Sequence, residues 1–160
     1  MFSFFKRHKT ENAEVFSSSL YDEKTFYQAF INDIQTCKSE IIIESPFITY
    51  TRASMLIPIF KKLLDREIKV YVITRDPKEH DLNMEQQSEK VIRIFETIGI
   101  QVLICKGNHH RKLAIIDRQT LWEGSLNILS QTHSREIMRR IVSKDTAMEM
   151  FQFLRLNRFI

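Results

Sequence analysis

The chain has 160 residues, 43% of them hydrophobic and 28% charged, with only three Gly and three Pro. That suits one domain with a sizeable core and excludes collagen, a Pro-rich linker and a largely disordered chain. A formal charge of +4 permits a polyanionic partner without requiring one, and Cys37 and Cys105 are too few for a disulfide scaffold and read as reduced core thiols of a cytoplasmic protein.

Residues 1–13 read as an N-terminal segment ahead of a domain over 14–160. Phe2, Phe4 and Phe5 precede the basic run Lys6 to Lys9, the reverse of a signal peptide, whose charges come first. No apolar run approaches the roughly 20 residues a bilayer span needs, so a membrane partner is not expected. Glu14 to Ser18 reads as a short strand, and Asp22 to Cys37 as a helix with Phe26, Ala29, Phe30 and Ile34 on one face and Asp22 as N-cap. Glu40 to Glu44 is β-branched and short, a buried strand stopped by Ser45-Pro46. Ala53 to Arg66 is helical, with Pro58 kinking it or delaying its start. Ile68 to Ile73 is a strand, Met84 to Ile98 a helix ending at Gly99, and Ile100 to Cys105 a strand. Arg111 to Asp117 and Thr120 to Glu123 form a strand pair joined at Arg118-Gln119. Ile137 to Val142 is a further strand and Asp145 to Leu156 a closing helix. Alternating strands and helices in the first two thirds predict βαβ units. The later strands are too closely spaced for helical crossovers, so the expected fold is a single α/β domain with a mixed sheet flanked by helices.

The chemistry-bearing stretch runs from Asn108 to Asn127. On an extended chain His110 and Lys112 point the same way, so an imidazole and an ammonium share a face. Gly124-Ser125-Leu126-Asn127 adds a tight turn, a hydroxyl and an amide. An imidazole can attack phosphorus or move protons, while a cation and small donors hold the non-bridging oxygens as charge builds.

His110, Lys112, Asp117, Gly124, Ser125 and Asn127 reproduce the H-x-K-x4-D-x6-G-S-x-N signature, and on them the chain resembles the phospholipase D superfamily. The resemblance implies a phospholipase D-like sheet and a phosphodiesterase that needs no metal or cofactor. It implies a phosphohistidine intermediate and a site holding two copies of the motif. One copy is present here, as in the short bacterial endonucleases of the family, so the resemblance implies a homodimer with the site across its axis. Its roles fall on His110 as nucleophile in one subunit and general acid in the other, on Lys112, Ser125 and Asn127 as phosphate-binding groups, and on Glu136 as the acid that orients the imidazole. Asp117 lies an odd number of residues from Lys112, hence on the other face. It and Gly124 are expected to be structural.

Several assignments have two readings. Glu136 pairs either with the histidine or with Arg135, Arg139 or Arg140. Trp122 stacks on a base or packs in the core, and His109 contacts substrate or sits on the surface. Ser45 and Phe47 line the pocket or cap their strand. From Ile104 onward ten Lys and Arg stand against five Asp and Glu, so Arg111, Arg135, Arg139 and Arg140 are candidate contacts to nucleic acid. The same charge would equally suit an anionic lipid surface, and it is the resemblance to the short bacterial endonucleases that makes an endonuclease on DNA or RNA the expected activity. The alternatives are phospholipid hydrolysis or transfer, and a non-catalytic nucleic-acid-binding or dimerisation module serving helicase or restriction machinery.

Overall fold

The structure, a computed structural model, describes residues 16–160. The expected N-terminal segment and the first residues of the expected first strand lie outside them. Seven strands form one sheet, β1 (Ser17–Asp22), β2 (Glu40–Glu44), β3 (Lys69–Arg75), β4 (Gln101–Cys105), β5 (Leu113–Ile116), β6 (Thr120–Gly124) and β7 (Ile137–Val142). Their order is β1-β7-β6-β5-β2-β3-β4. β2, β3 and β4 run parallel, joined by the helices α2 (Tyr50–Leu64) and α3 (Leu82–Ile98). Every other neighbouring pair is antiparallel. The chain is thus the mixed α/β domain that its element spacing predicts.

Alternation along each strand divides the core in two. Ile41, Ile43, Val70, Val72, Ala114 and Trp122 pack against α1 (Phe26–Gln35), α2 and α3. Ile42, Ile73, Leu113, Ile115, Leu121 and Ile141 pack against α4 (Lys144–Phe153). β2 has every residue buried, as a central strand covered on both faces must.

Element ends differ from the sequence reading where side chains bond the backbone. β1 runs to Asp22, whose carboxylate accepts from the amides of Lys24 and Thr25, so the residue closes a turn and α1 begins only at Phe26. α2 begins earlier than expected because Thr49 caps it, accepting from the Arg52 amide. Pro58 is carried inside the helix. Asp81 and Ser143 likewise start α3 and α4 ahead of their apolar periods. β5 is shorter than Arg111 to Asp117 at both ends. Asp117 and Arg118 take φ of 52° and 53°, a left-handed turn that ends the pairing. His110 and Lys112 precede the ladder rather than lie in it.

Candidate active site

Sheet topology gathers the signature at one end. Leu113 pairs with both Glu44 and Glu123, and Gly124 with Met138. The ends of β2 and β6 therefore lie beside the starts of β5 and β7. His110 and Lys112, the turn Gly124 to Asn127, Glu136 and the Ser45–Phe47 segment all emerge there. Gly124 is required by close approach, because a Cβ would strike the Ile137 carbonyl and the Met138 backbone. Ser125 then clips β6 to β7, its amide donating to the Ile137 carbonyl and its Oγ accepting from the Ile137 amide. The following loop is held from below. Tyr27 donates to the Ile128 carbonyl, Arg52 to that of Gln131, and buried Ser45 accepts from the Leu129 amide. Ser45 is therefore a tie between segments, while Phe47 is half-buried beside the histidine.

Lys112 Nζ lies 2.9 Å from His110 Nδ1 and donates to the His110 carbonyl at 2.7 Å. Burial, then the ammonium of Lys112 and the charge of Arg75, hold the His110 imidazole below its ordinary value, favouring the neutral ring. Burial also lowers Lys112, opposed by nearby Glu136. Asn127 Oδ1 is buried without a partner, an uncommon state that leaves hydrogen-bonding capacity unspent. Glu136 is half-buried; its amide donates to Glu23, and among the described residues no hydrogen bond joins its carboxylate to His110. His110, Lys112, Ser125 and Arg139 line a cavity of about 710 Å³ on the α4 side, together with Arg111 and the apolar side chains Leu20, Ile137 and Phe153.

Asp117 lies at the far end of β5. Burial would raise its carboxyl, but the amides of Lys38, Ser39 and Glu40 and the Ser39 hydroxyl hold it below the ordinary range. It ties the α1–β2 connection to the β5–β6 turn.

The structure takes the core reading of Trp122 and corrects two other assignments, Arg140 and His109. Trp122 is fully buried between Tyr21, Phe26 and Phe30, with its Nε1 donating to Asp33, so no face of the ring is free for a base. Arg140 faces the same side and is held by both oxygens of Asp33 at 2.7 and 2.8 Å, which removes it from any phosphate groove. His109 is neither on the surface nor open to substrate. Its side chain is 7% exposed and lies 3.3 Å from Glu44, itself wholly buried. Arg135 is exposed, and Arg139 donates to Ser18 at the cavity edge.

Sequence reasoning missed two supports of the site. Glu44 holds the Arg111 Nε at 2.8 Å, directly after the catalytic candidate His110. Glu79 accepts from the amides of Gly107 and Asn108 and from Arg75, fixing the turn that leads into His109. Both partners are distant in sequence, so no local period announces them. Gly107 and Asn108 take positive φ of 85° and 57°, which turns the chain there. Among the described residues no cluster of three or more His, Cys, Asp or Glu is arranged to hold a metal, and no helix is long and apolar enough to cross a membrane.

Residues 30–155 match the family described as cardiolipin synthase, PLD-like domain. The chain belongs to the phospholipase D superfamily. The fold is similar to that of NucT from Helicobacter pylori, at a TM-score of 0.68 and 19% identity over 87% of this chain and 93% of that one. It is similar to Nuc from Salmonella typhimurium, a phospholipase D family member, at 0.70 and 16% over 87% and 91%. Phosphatidylserine synthase of Haemophilus influenzae Rd KW20 matches at 0.68 and 14%, over 92% of this chain and 39% of that one. No curated protein sequence matches the chain. Membership in the superfamily supports a phosphodiesterase or phosphotransferase activity.

Proposed function

We propose that the protein is a metal-independent endonuclease of DNA or RNA, acting as a homodimer. The observation that carries this reading is the His110–Lys112 contact at 2.9 Å beside an open cavity that also takes Arg111 and Arg139. A neutral imidazole beside a cation is what attack on an anionic phosphodiester requires. The imidazole nitrogen forms the bond to phosphorus, the bond from phosphorus to the leaving oxygen breaks, and Lys112 with Ser125 and Asn127 holds the non-bridging oxygens. The leaving oxygen takes a proton from His110 of the partner subunit, which enters the step as imidazolium, so the active dimer carries one neutral and one protonated ring. Water then attacks the phosphohistidine, giving its proton to that same partner imidazole and freeing His110. Glu136 is placed in this scheme as the carboxylate that favours the charged imidazolium.

One H-x-K in the chain leaves the leaving-group proton to a second copy. The cavity rim supports such pairing, since Leu20, Ile137 and Phe153 are 62%, 61% and 80% exposed around it. An apolar rim of this kind usually marks an interaction surface. Contacts to phosphate predominate in this scheme, so cleavage has little sequence specificity.

The same apolar rim favours a second reading, hydrolysis or transfer at anionic phospholipids. Labelled single- and double-stranded DNA and RNA, and vesicles containing anionic phospholipid, are incubated with the protein in excess EDTA, with His110→Ala in parallel. Nucleic-acid cleavage that survives the chelator and is lost in His110→Ala is expected. Vesicle turnover alone selects the lipid reading, and loss of nucleic-acid cleavage in EDTA contradicts the metal-free scheme.

A further inference from the structure

On the side of His110 away from the apolar rim lie two aromatic groups outside the signature. Phe47 follows β2 and His80 follows β3, and the parallel pairing of these strands brings both to the His110 end. The rings of Phe47 and His80 lie 4.8 Å apart at 36°, and the Phe47 ring stands edge-on to His110 at 6.1 Å, with an interplanar angle of 89°. Both side chains are half-buried, so each keeps part of its surface open to solvent.

The pair has features that core packing does not need. Phe47 belongs to neither apolar core. The buried Nε2 of His80 has no hydrogen-bond partner, and such a group carries a penalty until something meets it. Burial, with Arg75 next, pushes the His80 imidazole down against the Pro46 carbonyl, so near neutral pH the ring is uncharged and fit to stack. Arg75 is itself fastened by Glu79 and Asn108, which fixes the loop carrying His80. The paired rings thus sit beside the imidazole assigned to phosphorus, with Phe47 the nearer of the two.

We propose that Phe47 and His80 form a stacking platform for an unpaired nucleobase next to the phosphate held at His110 and Lys112. This rests on the nucleic-acid reading and narrows it to single strands. Every base has a flat face, so a platform of this kind binds without reading sequence. Paired bases are already stacked within the duplex, so a duplex has none to offer unless one is flipped out. A diacyl phospholipid brings no such ring.

The test compares Kd, by fluorescence anisotropy, for a single-stranded oligonucleotide and for one of the same length with abasic residues throughout its centre. The wild-type protein is expected to favour the base-bearing strand by about tenfold, within the range that stacking on an aromatic side chain gives. Phe47→Leu is expected to erase that preference while binding the abasic strand as the wild type does, and Phe47→Tyr to restore it. Unchanged thermal unfolding establishes that the leucine variant is folded. Equal wild-type binding of the two strands, or a preference that survives in a folded Phe47→Leu, overturns the platform. Failure to bind either strand overturns it as well. The EDTA cleavage assay separates the two claims, because a nuclease that cleaves without preferring base-bearing strands loses only the platform.

Discussion

On the proposed scheme His110 attacks phosphorus in its neutral form, while His110 of the partner subunit must carry a proton to serve as acid. Burial, Lys112 and Arg75 all disfavour a proton on this ring, so the folded value falls below the ordinary histidine 6.5. The neutral nucleophile then persists into mildly acid solution. An NMR titration of the ring is expected to give a midpoint below 6.5, and Lys112→Met is expected to move it upward by removing a neighbouring cation. A midpoint at or above 6.5 in the wild type contradicts this account. The cost of holding an ammonium 2.9 Å from the imidazole is repulsion in the doubly charged state. That repulsion is relieved when a phosphate oxygen arrives to take the Lys112 donor.

At the scale of elements, the signature divides between an end to which the proposed chemistry is assigned and an end that holds the sheet together. Asp117 is the anchor of the second. Its carboxylate meets three backbone amides and the Ser39 hydroxyl at 2.8 to 3.1 Å, and also takes the Cys37 thiol. Asp117→Asn removes the charge from these bonds and is expected to cost about 1.5–3 kcal/mol in urea unfolding at neutral pH, the usual worth of a charged hydrogen bond. The folded Asp117 carboxyl titrates below its ordinary 3.8. Its contribution is therefore fully present above pH 3.8 and lost as pH falls through the folded value. The gap between wild type and variant should close in strong acid. A gap of constant size from neutral to acid pH contradicts the assignment.

The strands and helices were legible because each has a clear period. The five consecutive residues of β2 read as a strand covered on both faces, and the later strands as antiparallel from their spacing. The boundaries were not legible where a polar side chain sets them, as at Asp22, Thr49 and the left-handed turn of Asp117 and Arg118. For the site, the signature itself could be read in one dimension, since its residues lie within one stretch of chain. Glu44, Glu79 and the pairing of Phe47 with His80 could not, because they meet the stretch only through the sheet. Trp122 stayed open between two readings and Arg140 misled for the same reason. An aromatic and a cation near a catalytic turn suggest contacts to substrate, yet strand alternation points both toward Asp33 on α1.

For the whole molecule, the decisive feature is one motif in a fold whose proposed chemistry uses two imidazoles. The open cavity beside His110, rimmed by Leu20, Ile137 and Phe153, is half of an enclosure on this account, completed by the same surface of a second copy about a two-fold axis. The sheet end that carries the signature then meets its counterpart, and each His110 serves as nucleophile or acid according to how the phosphodiester lies. The platform at Phe47 and His80 lies on the outer side of each imidazole, where a single strand leaves the shared centre.

The most direct measurement is cleavage by a heterodimer of one wild-type chain and one His110→Ala chain, isolated through different tags on the two chains. A site shared between copies needs both imidazoles, so the heterodimer is expected to be as inactive as the His110→Ala homodimer. A rate of about half that of the wild-type dimer would show that each chain carries a complete site, and would contradict the account.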